Sequence, residues 1–591
     1  FRAGVNAGNS IASGGNYNTV VGDEAGTALT TGDSNVIVGM VAGDALTTAS
    51  DNVAVGQGAL TADTLGSKTV AIGRQALTTQ NFTTATDTYN TAVGHNAGLL
   101  VTTGASNTLI GGLAGDALTT GKQNVAIGYH ALGSDDVGQK TVAIGEGALF
   151  TQNYATATDS YNTAVGYNVG NAVTTGINNT LIGGLAGDAL TDADKNVAIG
   201  YASLTADDLG SKTVAIGTSA AGSQNYASAT DSHNTYIGHE AGFFNVTGVQ
   251  NTWVGSGAGV GASGNSNSNN VGVGYNAGND ITTGTHNTLI GGLAGDALTT
   301  GGSNVAVGYG ALTTDDVGQH NVAIGRDALS AQNIATAANT YNTAVGSTAG
   351  AAITTGIYNT LIGGLAGDAL TDADYNVAVG GDALSTDTLG SRSVAIGTSA
   401  LSAQNFTTAT DAYNVAVGNS AGAAVTTGIE NTIIGGNAGD ALTDADANVA
   451  VGTYALSTDT LGSKSVAIGD RALLTQNFTT ATDTHNIAVG YSAGGAITTG
   501  TVNTLIGGLA GDALTVGNSN VAMGYGALTT DTKGDRNVAI GNSALESQNF
   551  TTTTDSYNTA VGYVAGQSIT TGLSNTIIGG LAGDALTDAD H

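Results

Sequence analysis

The chain of 591 residues has no cysteine and no proline. Without cysteine there are no disulfides and no thiolate metal ligands. Proline cannot donate to a β ladder, so its absence suits a backbone whose amides are nearly all paired. Aromatic residues make up 5% of the chain and charged residues 10%. Bases are scarce, 13 Lys and Arg against 45 Asp and Glu, for a formal charge of −32. That balance argues against non-specific nucleic-acid binding. No apolar run approaches the roughly 18 residues of a membrane span, and no signal peptide is visible. Glycine is abundant, 93 residues, but without the three-residue period of collagen.

What is present is a repeat, and repeats decide architecture before anything else. Asn90-Thr91-Ala92-Val93-Gly94-His95-Asn96-Ala97-Gly98 returns in kind at Asn107, Asn124, Thr141 and Asn162, at spacings of 17, 17, 17 and 21 residues. The fourfold unit therefore has a period of 72 residues, running from Asn18 to Asn234 and again from Asn270 to Asn558. Only 36 residues separate Asn234 from Asn270. The array is thus read as 1–233, a half-unit with an irregular Gly/Ser/Asn insert at 234–269, and the same array resumed over 270–591. The chain opens on Phe1 and stops at His591, where the pattern would next place Asn, so it reads as a piece of a longer repeat protein.

Counting the opening residue of each frame as position zero, +1 to +3 carry Thr/Val, Ala/Leu and Val/Ile, +4 is Gly and +7 is Ala. Small and β-branched residues closed by glycine predict a very short strand. Glycine at +4 leaves no room for the ten-residue periodicity of a helix. With apolar or small residues on both sides, the strand is expected to be buried on both faces, as in a parallel stack. The solution is an all-β, parallel β-solenoid of roughly 33 rungs spaced about 4.7–4.9 Å apart. Each rung is expected to hold two short strands, at +1 to +3 and near +7 to +8. The opening Asn is expected to adopt a left-handed turn conformation and to form amide ladders along the stack. So thin a rung encloses little core. Small side chains at +2 and +7 would let three chains approach around an axis, which predicts a homotrimer.

The frame N-[TV]-A-[VI]-G-x-x-A, as in Asn90–Gly94 and Asn124–Gly128, resembles the head repeat of trimeric autotransporter adhesins, the YadA-like β-roll. It is also similar to repeats of phage tail-fibre proteins. The likeness covers nearly the whole chain and implies a trimeric, left-handed parallel β-roll in a surface or virion fibre. The chain departs from that pattern in its longer rungs and 72-residue super-period. It also lacks the coiled-coil stalk and membrane barrel of an autotransporter, which favours the phage fibre.

The fourth rung of each unit is four residues longer, and in six of the seven its loop carries an Asn-aromatic pair. The pairs are Asn81-Phe82, Asn153-Tyr154, Asn225-Tyr226, Asn405-Phe406, Asn477-Phe478 and Asn549-Phe550. A loop that protrudes every four rungs, about 19 Å, is a candidate contact for a glycan or partner protein. The favoured reading is that the ring caps its own loop or packs against a neighbouring chain. Gly111-Gly112-Leu113-Ala114-Gly115-Asp116 approaches a calcium nonapeptide. It lacks the third glycine, however, and returns every 72 residues rather than on adjacent turns, as six to eight oxygen ligands would require. Asp192-Ala193-Asp194 and its copies read as solvated turns. Six bases share one register, Lys68, Lys140, Lys212, Arg392, Lys464 and Arg536, where a local ion pair within the acidic turn or to another chain is expected. No shared site is built from His95, His130, His239 and His286, and no nucleophile elbow, P-loop or zinc spacing occurs. No catalytic residue, metal or cofactor is therefore expected.

The sequence predicts a structural fibre shaft of a phage tail fibre, extracellular on the virion, assembled with itself and with other fibre or baseplate proteins, and carrying a receptor-binding tip. The alternative is a bacterial surface adhesin head that binds host matrix, glycan or protein along its side.

Overall fold

The computed structural model describes all residues from Phe1 to His591. The protein is all-β, with no helix. It divides into two units, Phe1–Thr300 and Gly301–His591, each a parallel β-solenoid. Seventeen short strands stack in the first unit, from Arg2–Ala3 to Thr288–Ile290, and sixteen in the second, from Val305–Val307 to Thr576–Ile578. Register is strict: Thr91, Ala92 and Val93 sit over Thr108, Leu109 and Ile110, which sit over Val125, Ala126 and Ile127. The half-unit keeps that register, with Tyr236 over Trp253 over Gly272.

The backbone bonds explain why one phrase is copied. The amide of Thr91 donates to the carbonyl of Asn107 in the next rung (2.8 Å), while that of Gly94 donates back to Ile72 in the rung before (2.8 Å). The same rung-to-rung bonding continues through the turns, as from Gly98 to Ala114 (2.9 Å) and Thr102 to Thr119 (2.9 Å). A segment whose amides are satisfied only by its own copies has no alternative partner once dehydrated.

Glycine at +4 is obligatory. Gly94 has φ +148°, and a Cβ there would lie 2.2 Å from the carbonyl oxygen of Gly111 in the rung above. The core is made by +2 and +7, both fully buried, and by an exchange between +8 and +11. The first two rungs of a full unit place Gly at +8 and a bulky aliphatic at +11, as in Gly98 and Val101; the next two place Leu (once Ala, Ala221) at +8 and Asp or Gln at +11. A Cβ on Gly98 would meet Leu109 and Leu77 within 2.8 Å. The leucines at +8, such as Leu77 (φ 50°) and Leu132 (φ 55°), hold left-handed backbone, a cost of about 1–2 kcal/mol each that the buried side chain offsets.

Three expectations are corrected. The left-handed residue is not the opening Asn but the one before it, such as Tyr89 (φ 51°), Ser106 (φ 62°) and Gln123 (φ 59°). The Asn is spared because its side chain bridges outward from extended backbone. Asn90 Oδ1 accepts from the amide of Asn107 (2.9 Å), and its Nδ2 donates to Gly104 O (2.7 Å). The second strand near +7 to +8 is absent, because glycine and left-handed residues turn the chain there. Extra two-residue strands form elsewhere, as between Gly66–Ser67 and Thr86–Asp87. Finally, the strand is buried on one face only. Position +2 points inside, whereas +1 and +3 point outward and remain partly exposed, as for Ile110 at 37%. The small +2 and +7 residues therefore lie inside the roll and cannot be what neighbouring chains approach.

Candidate functional site

The outward strand face continues from rung to rung through each unit. From Thr19 to Ile290, and again from Val305 to Ile578, strand positions +1 and +3 hold only Thr, Val, Ile and one Met, with no charge anywhere. Two columns border it. One is position −1, left-handed throughout, which carries Lys68, Tyr89, Lys140, Tyr161, Tyr341 and their equivalents. The other is position +5, just past the glycine, with Tyr129, Tyr167, Tyr275 and Tyr525 among its members.

At the fourth rung the −1 base meets a carboxylate that comes from the extra loop. Lys140 Nζ donates to Asp159 Oδ2 (2.6 Å) and to Tyr161 Oη (3.0 Å), with the tyrosine ring 5.0 Å away. Lys68 repeats this with Asp87 and Tyr89. Lys212 pairs with Asp231, Arg392 with Asp411, Lys464 with Asp483 and Arg536 with Asp555. The partner is thus the loop carboxylate one rung on, not the acidic turn. The Asp159 bond, then the tyrosine, pushes Lys140 up to about 12. The lysine in turn holds Asp159 below the usual carboxylate range.

The acidic turn turns inward instead. Asp63, Asp135, Asp207, Asp315, Asp387, Asp459 and Asp531 are fully buried. Each accepts at Oδ2 from the Nε2 of a glutamine 17 residues on, from Gln80 to Gln548, at 2.5–2.7 Å. In the first copy Oδ1 also accepts from the amides of Gly66 and Phe82 (3.1 Å each), and Gln80 Oε1 accepts from Asn90 Nδ2 (2.8 Å). Burial pushes the carboxyls of Asp63, Asp135, Asp207, Asp315 and Asp531 upward against these bonds. This network went unread in the sequence. Its signal is Asp at +11 of the third rung, Gly three residues later, and Gln at +11 of the fourth.

Of the loop residues singled out by sequence, the aromatic members are inside. Phe82, Tyr154, Tyr226, Phe406, Phe478 and Phe550 are 4–7% exposed. The tyrosines use their hydroxyls internally, Tyr154 donating to Gly176 O (2.8 Å) and Tyr226 to Gly248 O (2.7 Å). Asn81, Asn153, Asn225, Asn477 and Asn549 are exposed and Asn405 half-buried. Asn81 Oδ1 receives a bond from Thr64 (3.1 Å), and Asn405, Asn477 and Asn549 are held in the same way. What these loops present outward is therefore a threonine- and alanine-rich crest, such as Thr83-Thr84-Ala85.

One stretch of the −1 column stands apart. His320, Tyr341, Tyr358 and Tyr375 stack ring on ring, with centroids 5.0, 5.3 and 5.1 Å apart. Arg392 continues the stack between Tyr375 (5.3 Å) and Tyr413 (5.8 Å). No protein-family model matches the chain, and no curated protein matches it significantly.

Proposed function

We propose that the chain is the shaft of a homotrimeric phage tail fibre that supports a receptor-binding tip. The observation that supports this reading is the uncharged, β-branched outward face, uninterrupted through each unit. An apolar surface of that extent on a chain of charge −32 calls for a partner. A second and third copy offer the same face at every rung, and a closed symmetric ring satisfies all three at once. The remaining surface is acidic, which keeps finished fibres apart. Stacked ladders resist unfolding because each rung is held from both sides.

The solution mass tests the trimer: three times 57.4 kDa is expected, and a monomer at micromolar concentration overturns it. Immunogold labelling with an antibody to the chain is expected along virion fibres; labelling of a bacterial surface instead overturns the phage assignment. The adhesin reading is favoured by one observation, the exposed base–carboxylate pairs at one register of the repeat, of which Lys68–Asp87 and Lys140–Asp159 each add a tyrosine hydroxyl. Binding of the purified chain to a glycan or matrix array would select that reading over a passive shaft.

A further inference from the structure

The tyrosine stack occupies the −1 edge of five successive rungs, with Tyr341, Tyr358, Tyr375, Arg392 and Tyr413 standing outward; the four tyrosines are 42–53% exposed. The +5 edge of the same five rungs carries Ser347, Gly364, Gly381, Thr398 and Asn419, followed by Gly436 and Thr453. This is the one long run of the +5 column without a bulky or charged side chain. Elsewhere Gly, Ser, Thr or Asn stands there singly, as Gly508 does between Tyr491 and Tyr525. The longest ridge on one edge, His320 to Tyr413, and the longest hollow on the other, Ser347 to Thr453, thus overlap on five rungs.

Nothing within the chain accounts for the glycines of the hollow. A Cβ on Gly364, Gly381 or Gly436 would meet no atom within 4 Å, and none of the three has positive φ. This contrasts with Gly363, Gly380 and Gly435 beside them, where the next rung's carbonyl forbids a side chain. Glycine without an internal reason marks close approach from outside.

We infer that the occupant is a second copy: the tyrosine ridge of one chain seats in the small-residue hollow of its neighbour, rung against the same rung. This rests on the trimeric reading above and adds the contact that fixes its alignment. A face of near-identical Val, Thr and Ile rungs specifies axial register weakly. In a closed threefold ring the offsets between neighbours are equal and return to zero, so each rung faces its own equivalent. Only a ridge and a hollow on the same rungs fit that geometry. The edges then act as a key, and the apolar face between them supplies the adhesion.

The test uses the full chain, which has no cysteine of its own. A variant carrying Tyr358→Cys and Gly364→Cys places both thiols on one rung. A second, with Tyr358→Cys and Gly436→Cys, separates them by four rungs, about 19 Å. With a thiol-to-thiol crosslinker shorter than that offset, the matched variant is expected to run as a covalent trimer on a denaturing gel and the offset variant as a single chain. A trimeric mass without the matched crosslink, or with crosslinking of the offset pair, overturns this inference and leaves the shaft standing. A monomeric mass overturns both. Independently, Gly364→Leu with Gly381→Leu is expected to leave the single chain's unfolding temperature unchanged while raising the trimer's dissociation constant at least tenfold. An unchanged dissociation constant rejects the contact.

Discussion

Gln80 donates its Nε2 proton to Asp63 Oδ2 across 2.6 Å, with both side chains fully buried. No cation contributes to the stabilisation of that carboxylate, which relies on neutral donors alone. Six further copies of the pair repeat it.

The first prediction concerns pH. Five of these carboxyls are pushed above 3.8 by burial. A raised acid binds its proton more tightly folded than unfolded. Its contribution therefore grows as pH falls from above the folded value towards the unfolded one near 3.9. The unfolding temperature is expected to rise between neutrality and about pH 4.5. Calorimetry across that window checks it, and a flat or falling trend rejects it. The lysine-paired Asp87, Asp159 and Asp231 lie below 3.8, so their contribution is lost only at more acid pH.

Replacing the carboxylate should separate charge from geometry. Asp135→Asn keeps the volume but turns an amide toward Gln152 or leaves the Gly138 amide, now 2.9 Å from Oδ1, without its acceptor. A loss of about 1–3 kcal/mol is expected, together with a shallower pH dependence. Chemical denaturation at pH 7 and pH 5 measures both. Equal losses at the two pH values would show that the carboxyl does not titrate in the fold.

Glycines next to each other in sequence should behave in opposite ways. Gly363→Ala places a Cβ 2.3 Å from the carbonyl oxygen of Gly380 at φ +140°, whereas Gly364→Ala meets nothing. The first is expected to cost about 3 kcal/mol or more and to open its rung to protease. The second is expected to change the single chain by less than about 0.5 kcal/mol. Similar protease sensitivity in the two variants would contradict the stacking geometry.

Trp253, the only tryptophan, reports on the half-unit. It is fully buried over Gly272, where a Cβ would lie 2.1 Å from the indole. Blue-shifted emission shielded from acrylamide is expected in the native chain. Gly272→Ala should overpack the site, at a cost of about 1–3 kcal/mol, and red-shift that emission. Exposure of the indole in the parent chain would contradict the register of the insert.

The Asn-to-Gly frame made the pitch and parallel stacking readable, since +1 to +4 allow little besides a short strand and a forced turn. The inside of the turn was less readable. Leu77 and Tyr89 hold left-handed backbone that neither residue type advertises; packing in one case and rung closure in the other impose it. Phe82 could cap its loop or present its ring, the first being the favoured reading, and the bond from its amide to the buried Asp63 (3.1 Å) shows how the interior holds it. The inward turn of Asp63 was hidden for a simpler reason: its glutamine partner belongs to the next rung, beyond any local window. The outward direction of +1 and +3 was obscured because an apolar residue looks the same whether its own chain or another covers it.

The half-unit between Asn234 and Asn270 has one more consequence. Two rungs are missing there relative to the surrounding period, yet Ile216, Ile237, Val254 and Val273 continue in line without a fault. Each storey rests only on the one beneath it, so genetic exchange between near-identical copies can delete or add whole storeys and still yield a foldable product. The number of storeys in a stack thereby becomes a heritable quantity that changes in discrete steps, without refolding of the storeys on either side.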